Sequence, residues 1–528
     1  MKSKDKGIKS ISLENFRVFK DKCDFELAPI TILTGANSSG KSSIIKAMKL
    51  MQSYCKDGIA NFDELGGFEN TINNKSSEKE IVITHRIQKE GYSYFFGTFL
   101  VEYVFVKSED LKGELKYVSV YIENEANPIL IYRKNQDEES SFDEDYIMNV
   151  YIPKFQSLKE DLKEYNVIVN KDIRIAQKGF YEHHEGFFDG EENIPSYDSY
   201  IPDLLEPPVI NKEYCLTRNI DYQKVKAFES LNMLFNGIGE NTLVKFCLNN
   251  PYLSEIQRII LYLSVEQINY YYENMYFIDA LRSGAQREYG LKSNESDFEK
   301  LASECITEKW LEDKIIKDEM LKWINDFEIA EDIDFEPTDE EKFQIIVTKN
   351  GKRMNIKDLG FGVFHLIHLF LNLSKAIYYR EKDAKEKNRV ALVQGNDNER
   401  EKIMLSIFNR NKTIVIEEPE SHLHPKLQSK LAELFVNNID NANFIVETHS
   451  EYIIWKLQYL TAKGDVKPDE TIIHYIGNPD AKKRSPEEEQ VRTIHINSNG
   501  KRTKPFGSGF TDESSKWIKA MFGLPNSN

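Results

Sequence analysis

No stretch of this 528-residue sequence approaches the roughly 20 consecutive apolar residues that span a bilayer. The opening MKSKDKGIKS follows its lysines with no apolar segment of the kind that directs export. A cytoplasmic protein without membrane association is expected. Cysteine is scarce too: Cys23, Cys55, Cys215, Cys247 and Cys305 stand far apart with no CxxC pair, which argues against a disulfide or zinc framework and for reduced structural thiols. Positive charge falls short, 69 basic against 86 acidic residues for a net charge of −17. That deficit disfavours a generally basic, DNA-coating surface and leaves room for a local basic groove. Neither an internal repeat nor a low-complexity tract stands out.

Core-forming material is plentiful, at 40% hydrophobic and 12% aromatic residues, enough for two or three domains. Strand-like patterns at 8–16, 23–27 and 30–33 lead through a glycine-bounded turn into a helix over 42–52. Segments 81–87 and 92–106 are rich in aliphatic, aromatic and threonine residues and predict an antiparallel sheet. From 107 to 270 acidic runs mix with aromatic and lysine-rich stretches, and prolines such as Pro153, Pro202 and Pro251 forbid a long coiled-coil rod. This part is expected to be a compact, mostly helical insertion. Beyond it come helix over 296–327, a strand at 342–348, a turn at Asn350-Gly351, and helix over 362–379 followed by a charged stretch at 380–402 that is expected to be a solvated loop or exposed helix ends. A second strand, helix and strand follow at 413–416, 425–438 and 443–447.

The chemistry concentrates in three places. Gly35-Ala36-Asn37-Ser38-Ser39-Gly40-Lys41-Ser42 matches GxxxxGK[ST] after an apolar strand and at a helix start. Its glycines let backbone N–H groups curl around phosphates, Lys41 can reach the β- and γ-phosphates, and the Ser42 hydroxyl can ligate magnesium. Gly35, Asn37, Ser38, Ser39, Gly40, Lys41, Ser42 and Ser43 are the candidate ATP-binding residues. Thr413-Ile414-Val415-Ile416 runs into Glu417-Glu418-Pro419-Glu420, an apolar strand ending in carboxylates. There Glu417 is assigned to Mg2+ with Ser42, and Glu418 to activation of the attacking water. The strand at 443–447 ends in Thr448-His449-Ser450, and a neutral His449 imidazole can bridge the γ-phosphate and that water.

With these residues the chain resembles the ABC-type ATPases related to the SMC and RecF proteins, in particular the stand-alone branch found in bacterial genome-defence operons. Leu13-Glu14-Asn15-Phe16-Arg17 with Phe19 is similar to that family's opening strand, Glu417 to Pro425 to its acidic strand and D-loop, and Thr448-His449-Ser450 to its switch histidine. The resemblance covers 8–106 and 271–528. It implies an α/β ATPase head, a mixed sheet with the phosphate loop plus an antiparallel sheet. The expected divisions are 1–106 as N-terminal lobe, 107–270 as the insertion bearing partner or oligomer contacts, and 271–528 as C-terminal lobe. It also implies ATP sandwiched between two copies, one supplying the phosphate loop and the other a signature helix. The matching stretch is Asp358-Leu359-Gly360-Phe361-Gly362-Val363, where Gly360 stands in place of the usual serine and contacts through Gly360 and Gly362 would rely on backbone N–H groups.

Other candidates carry less. The stretch 279–289 could present Arg282 and Arg287 to phosphate or a partner, or be a solvated basic turn. His422 and His424 lack a third metal ligand nearby. His183-His184 with Asn193 makes no credible HNH nuclease, and the C-terminal stretch 507–512 resembles a closing motif of the family without assignable chemistry. The expected function is an ATPase that dimerises, or assembles further, around Mg-ATP and regulates a separately encoded effector, such as an HNH nuclease, in antiviral defence, resembling ATPase subunits of Septu-type or retron-associated systems. The alternative is a DNA-repair or chromosome-maintenance clamp, in which nucleic acid is bound directly. A transporter subunit is disfavoured by the opening strand and the D-loop type.

Overall fold

The computed structural model describes residues 7–89, 97–108, 113–124, 128, 130–134, 145–150, 173–176, 267–280, 285–291, 296–393, 412–479, 489–507 and 520–521. The chain opens on β1 (Gly7–Glu14), β2 (Cys23–Glu26) and β3 (Ile30–Gly35), then α1 (Lys41–Asp57). It forms two compact units, one of 1–22 with 47–273 and the other of 23–46 with 274–528.

In the first unit, β1 pairs with β4 (Glu80–Lys89), and the antiparallel order continues through β5 (Gly97–Lys107), β6 (Gly113–Ile122), β7 (Leu130–Lys134), β8 (Asp145–Val150) and β9 (Ile173–Ala176). Tyr54, Phe62, Phe68 and Phe105 meet edge-on or tilted in its core. Gly113 is required there, because a Cβ would come within 2.2 Å of the Phe62 ring. The antiparallel sheet expected at 81–106 is present, and it runs on across the expected boundary at 106/107. β6 to β9 lie inside the segment expected to be mostly helical, and helix α2 (Gln267–Glu273) falls at its end. The alternation in β6 was masked by lysine and glutamate at its outward positions, which read as a composition change although they suit one solvated sheet face. The remaining residues of that segment, Cys215, Cys247 and His183-His184 among them, lie outside the described residues.

The second unit is built on a sheet with order β10-β15-β16-β3-β17-β18, where β10 is Met275–Ile278, β15 Lys412–Glu417, β16 Ala442–Glu447, β17 Thr471–Ile476 and β18 Val491–His495. All neighbours are parallel except β17 and β18. Every residue of β3 and β17 is buried, as strands covered on both faces are. Further elements are β11 (Tyr289–Gly290), α3 (Asp297–Thr307), α4 (Lys314–Asp326), β12 (Asp332–Pro337), β13 (Lys342–Lys349), β14 (Lys352–Asn355), α5 (Phe361–Val393), α6 (Pro425–Asn437) and α7 (Glu451–Lys463). Trp310, Trp323, Phe370, Phe435 and Phe444 belong to one core with Ile30 and Ile32 of β3.

The expected turn at Asn350-Gly351 joins β13 to β14, both residues taking positive φ, 52° and 69°. The helix expected over 296–327 is two helices. Ser296 and Asp313 cap α3 and α4 at their N-termini, and Lys309 interrupts between them in the left-handed region. α5 continues for 33 residues, through charged positions expected to be loop or exposed helix ends, because Lys, Glu, Ala and Arg are strong helix formers whether or not a face is buried. Among the described residues no helix is long and apolar enough to cross a membrane.

Among the described residues three histidines are fully or almost fully buried: His85, His365 and His474. Burial pushes them down to about 3, about 4 and about 4 respectively. His474 Nε2 donates to the Glu26 carbonyl at 2.8 Å, so its Nδ1 accepts from the Thr493 hydroxyl at 3.2 Å. Below the unfolded value of about 6.5 the unfolded chain takes up protons that the folded one refuses, so stability falls as pH drops, by ~1.4 kcal/mol per pH unit per histidine. Thermal melts should therefore show a lower Tm at pH 5 than at pH 7. An unchanged Tm would show that these rings are not held neutral.

Candidate active site

Parallel pairing decides what shares an edge. Glu417, the last residue of β15, stands opposite Glu447, the last of β16, and Glu447 in turn opposite Leu33 of β3. Two residues past Leu33, β3 ends at Gly35 and the phosphate loop begins. The loop and the carboxylates at the ends of β15 and β16 thus emerge together at the C-terminal edge of the sheet, where open α/β sheets bind ligands.

Gly35 takes φ +140°, and a Cβ there would lie 2.1 Å from the Ile476 carbonyl oxygen. Only glycine lets β3 turn into the loop this close to β17. Gly40 and Ser38 also have positive φ, 115° and 58°. Ala36, Asn37 and Ser38 are exposed, while the side chains of Ser39 and Ser43 are buried, so those two serines can offer a ligand only their backbone groups without rearrangement. Lys41 opens α1 and is 4% exposed. Its Nζ donates to the carbonyls of Gly35 and Ala36 at 3.2 and 2.9 Å. Burial lowers its pKa, and Glu447, Glu418 and Glu420 oppose that by stabilising the ammonium. A Gly35→Ala variant should lose roughly 2–4 kcal/mol, since overpacking adds to a strained φ. A chemical denaturation midpoint equal to wild type would contradict this geometry.

The acids differ in their surroundings. Glu418 sits in the left-handed region at φ 45°, its backbone N–H donating to the Glu447 carbonyl at 2.8 Å. A non-glycine residue held at positive φ is strained, and such strain collects at functional sites. Its Oε2 accepts from the Ser421 hydroxyl at 3.1 Å, which aims the side chain. Glu420 Oε1 accepts the His449 backbone N–H at 2.7 Å, and burial raises the Glu420 pKa. Glu447 is 4% exposed and accepts the Ser42 hydroxyl at 3.1 Å. Burial pushes its carboxyl up to about 7, with Glu417 and Glu418 adding in the same sense and Ser42 and Lys41 opposing. His449 stands at the exposed edge; partial desolvation and then Lys41 lower its pKa, offset by Glu418, so the neutral imidazole is favoured.

The structure therefore gathers Lys41, Ser42, Glu417, Glu418 and His449 at one edge. Glu447 and Glu420 join them, and neither was singled out in the sequence. The available signal for Glu447 was an acid at the last position of an otherwise apolar strand, two residues before His449. Gly362 belongs to a different set of contacts: it is buried against the chain that follows β15, where an added Cβ would meet Leu423 Cδ2 at 2.8 Å and the His422 carbonyl oxygen at 3.2 Å. An added Cβ at Gly360 would meet open space. His422 takes φ 63°, and His424 caps α6 through its side chain, which accepts from the Lys426 N–H, so both shape the chain after β15. Arg287 is paired with Asp358 at 2.8 Å; Arg282 and residues 508–512 lie outside the described residues.

Hard oxygen donors in Ser42, Glu417 and Glu447, a buried carboxylate oxygen of Glu447 without a hydrogen-bond partner among the described residues, and a loop turned by positive φ at Gly35, Ser38 and Gly40 suit magnesium and a polyphosphate. Among the described residues no group of three or more His, Cys, Asp or Glu could hold a metal by itself, so phosphate oxygens and water would have to complete the shell.

A glycine-rich loop between the central strand of a parallel sheet and a helix, with acids at the neighbouring strand ends, defines an α/β protein of the P-loop class. The chain belongs to the AAA ATPase domain family, whose model matches residues 7–454. That match runs through 107–270 and stops within α7. Among solved structures the chain is similar to the SMC head domain from Thermotoga maritima, at 10% identity over 93% of this chain and 99% of that one, with a TM-score of 0.34. It is similar also to the Smc head domain with an extended coiled coil, bound to the C-terminal domain of ScpA, from Pyrococcus furiosus, at 11% identity over 98% and 99% of the two chains with a TM-score of 0.38. No curated protein matches the chain.

Proposed function

We propose that the protein binds Mg-ATP at this edge, hydrolyses it, and uses the nucleotide to close a dimer that regulates a separately encoded effector in antiviral defence. The observation that supports the chemistry best is the convergence of Lys41 and Ser42 with the carboxylates of Glu417, Glu418 and Glu447 at adjacent strand ends. When bound, magnesium would supply charge neutralisation across the β- and γ-phosphates, held through Ser42 and Glu417. Loop N–H groups and Lys41 bind the phosphates, Glu418 orients the attacking water and takes its proton, and His449 holds the γ-phosphate side of that water. The three carboxylates around Lys41, those of Glu447, Glu418 and Glu420, repel a bare triphosphate, so nucleotide affinity should depend steeply on magnesium.

Gly360 and Gly362 are assigned to the partner copy's nucleotide through backbone groups, and the 107–270 segment to partner or oligomer contacts. The defence role is supported by the acidic, aromatic-rich composition of 107–270, which suits docking of a partner protein better than a basic groove for DNA. Binding of a fluorescent ATP analogue with and without magnesium, phosphate release, and co-purification from the native host together test the proposal. Recovery of a nuclease or other effector supports the regulatory role. Recovery of DNA, with ATP-dependent retention on duplex, would replace it with the clamp alternative.

A further inference from the structure

We propose that Glu447 is a positioning residue of the magnesium site, fixing the direction of the Ser42 hydroxyl proton and offering its second oxygen to water on the ion. This rests on the Mg-ATP reading above and adds a residue to it. A hydroxyl can ligate a cation only if its proton points elsewhere. A carboxylate that accepts that proton fixes its direction and leaves the oxygen lone pairs for the metal, as outer-shell carboxylates do for other metal ligands.

Three observations converge on Glu447. Its Oε1 accepts from Ser42 Oγ at 3.1 Å, a contact between residues 405 positions apart that exists only because β16 lies beside β3. Parallel register sets it directly opposite Glu417. Its Oε2 is buried and has no hydrogen-bond partner among the described residues. A buried acceptor without a partner costs about 1–3 kcal/mol, more when charged, and calls for a functional reason. The Lys41 ammonium directs two of its three N–H donors to the Gly35 and Ala36 carbonyls and makes no hydrogen bond to this oxygen. A water molecule held by the ion is a donor of the right kind for that oxygen. Were Glu447 merely structural, a glutamine, which keeps its size and can accept the same Ser42 proton, would serve equally well.

The test uses the full chain with Mn2+ as a spectroscopic stand-in for magnesium and a non-hydrolysable ATP analogue. For Glu447→Gln, Mn2+ affinity in the analogue complex, read by electron paramagnetic resonance, should fall by about 10–100-fold, the usual effect of losing an outer-shell partner. Analogue binding in excess chelator should hold or tighten, because one negative charge has left the phosphate site. Glu447→Asp keeps the charge but loses the reach to Ser42; it should also weaken Mn2+, and it carries the test if the glutamine variant does not fold. Wild-type Mn2+ affinity in a folded variant would overturn the proposal. A wild-type protein that does not bind the analogue at all would instead remove the Mg-ATP reading beneath it.

Discussion

Glu418→Gln is expected to bind Mg-ATP much as wild type does while hydrolysing it ~10²–10⁴-fold more slowly, the usual effect of removing a general base. The substitution keeps the side chain's size, and the glutamine carbonyl oxygen can still accept from the Ser421 hydroxyl that now holds Glu418 Oε2 at 3.1 Å. The left-handed backbone at φ 45° and the N–H bond to the Glu447 carbonyl do not depend on the side chain's charge, so the loop should stay in place. Slowed hydrolysis should prolong whatever state the γ-phosphate closes. Light scattering after size exclusion, with and without Mg-ATP, should find a longer-lived dimer than in wild type. Wild-type phosphate release would transfer the base role to another residue, and a dimer no more dependent on ATP than wild type would separate nucleotide from closure.

Lys41→Ala should cost nucleotide affinity at least about a hundredfold, in line with roughly 3 kcal/mol for charge-assisted hydrogen bonds to phosphate. Beyond the lost bonds, the variant removes the ammonium that offsets the charge of Glu418, Glu420 and Glu447, so the edge becomes more hostile to a polyphosphate. Isothermal titration with Mg-ATP reads this directly, and a circular-dichroism melt separates it from unfolding. Unchanged affinity would mean that the nucleotide does not sit on this loop.

Much of this site was legible because its parts are local. The phosphate loop needs glycine where φ is positive and a lysine just inside the helix, and these lie within eight consecutive residues. The acid pair after 413–416 and the histidine after 443–447 were legible for a related reason, since an apolar strand that stops at a charged residue marks its own end. The antiparallel strands past residue 107 were not. With one face solvated, Lys116 and Glu114 occupy outward positions of β6, and composition alone reads such a stretch as a surface insertion. β17 was missed for the opposite reason: all six of its residues are buried, Thr471 and His474 included, so it shows no apolar–polar alternation that separates strand from helix.

Glu447 marks the division most sharply. By itself the sequence determined the glycine-rich loop, the acidic end of β15, the histidine that follows β16 and the α/β class, because each depends on residue types at fixed short spacings that local backbone geometry requires. Only the tertiary structure decided that β16 lies between β15 and β3. That strand order brings Glu447 opposite Glu417 and within hydrogen-bonding distance of Ser42, 405 residues away in the chain. Strand order is set by which buried faces pack together across the whole sheet, a non-local choice that short spacings do not encode.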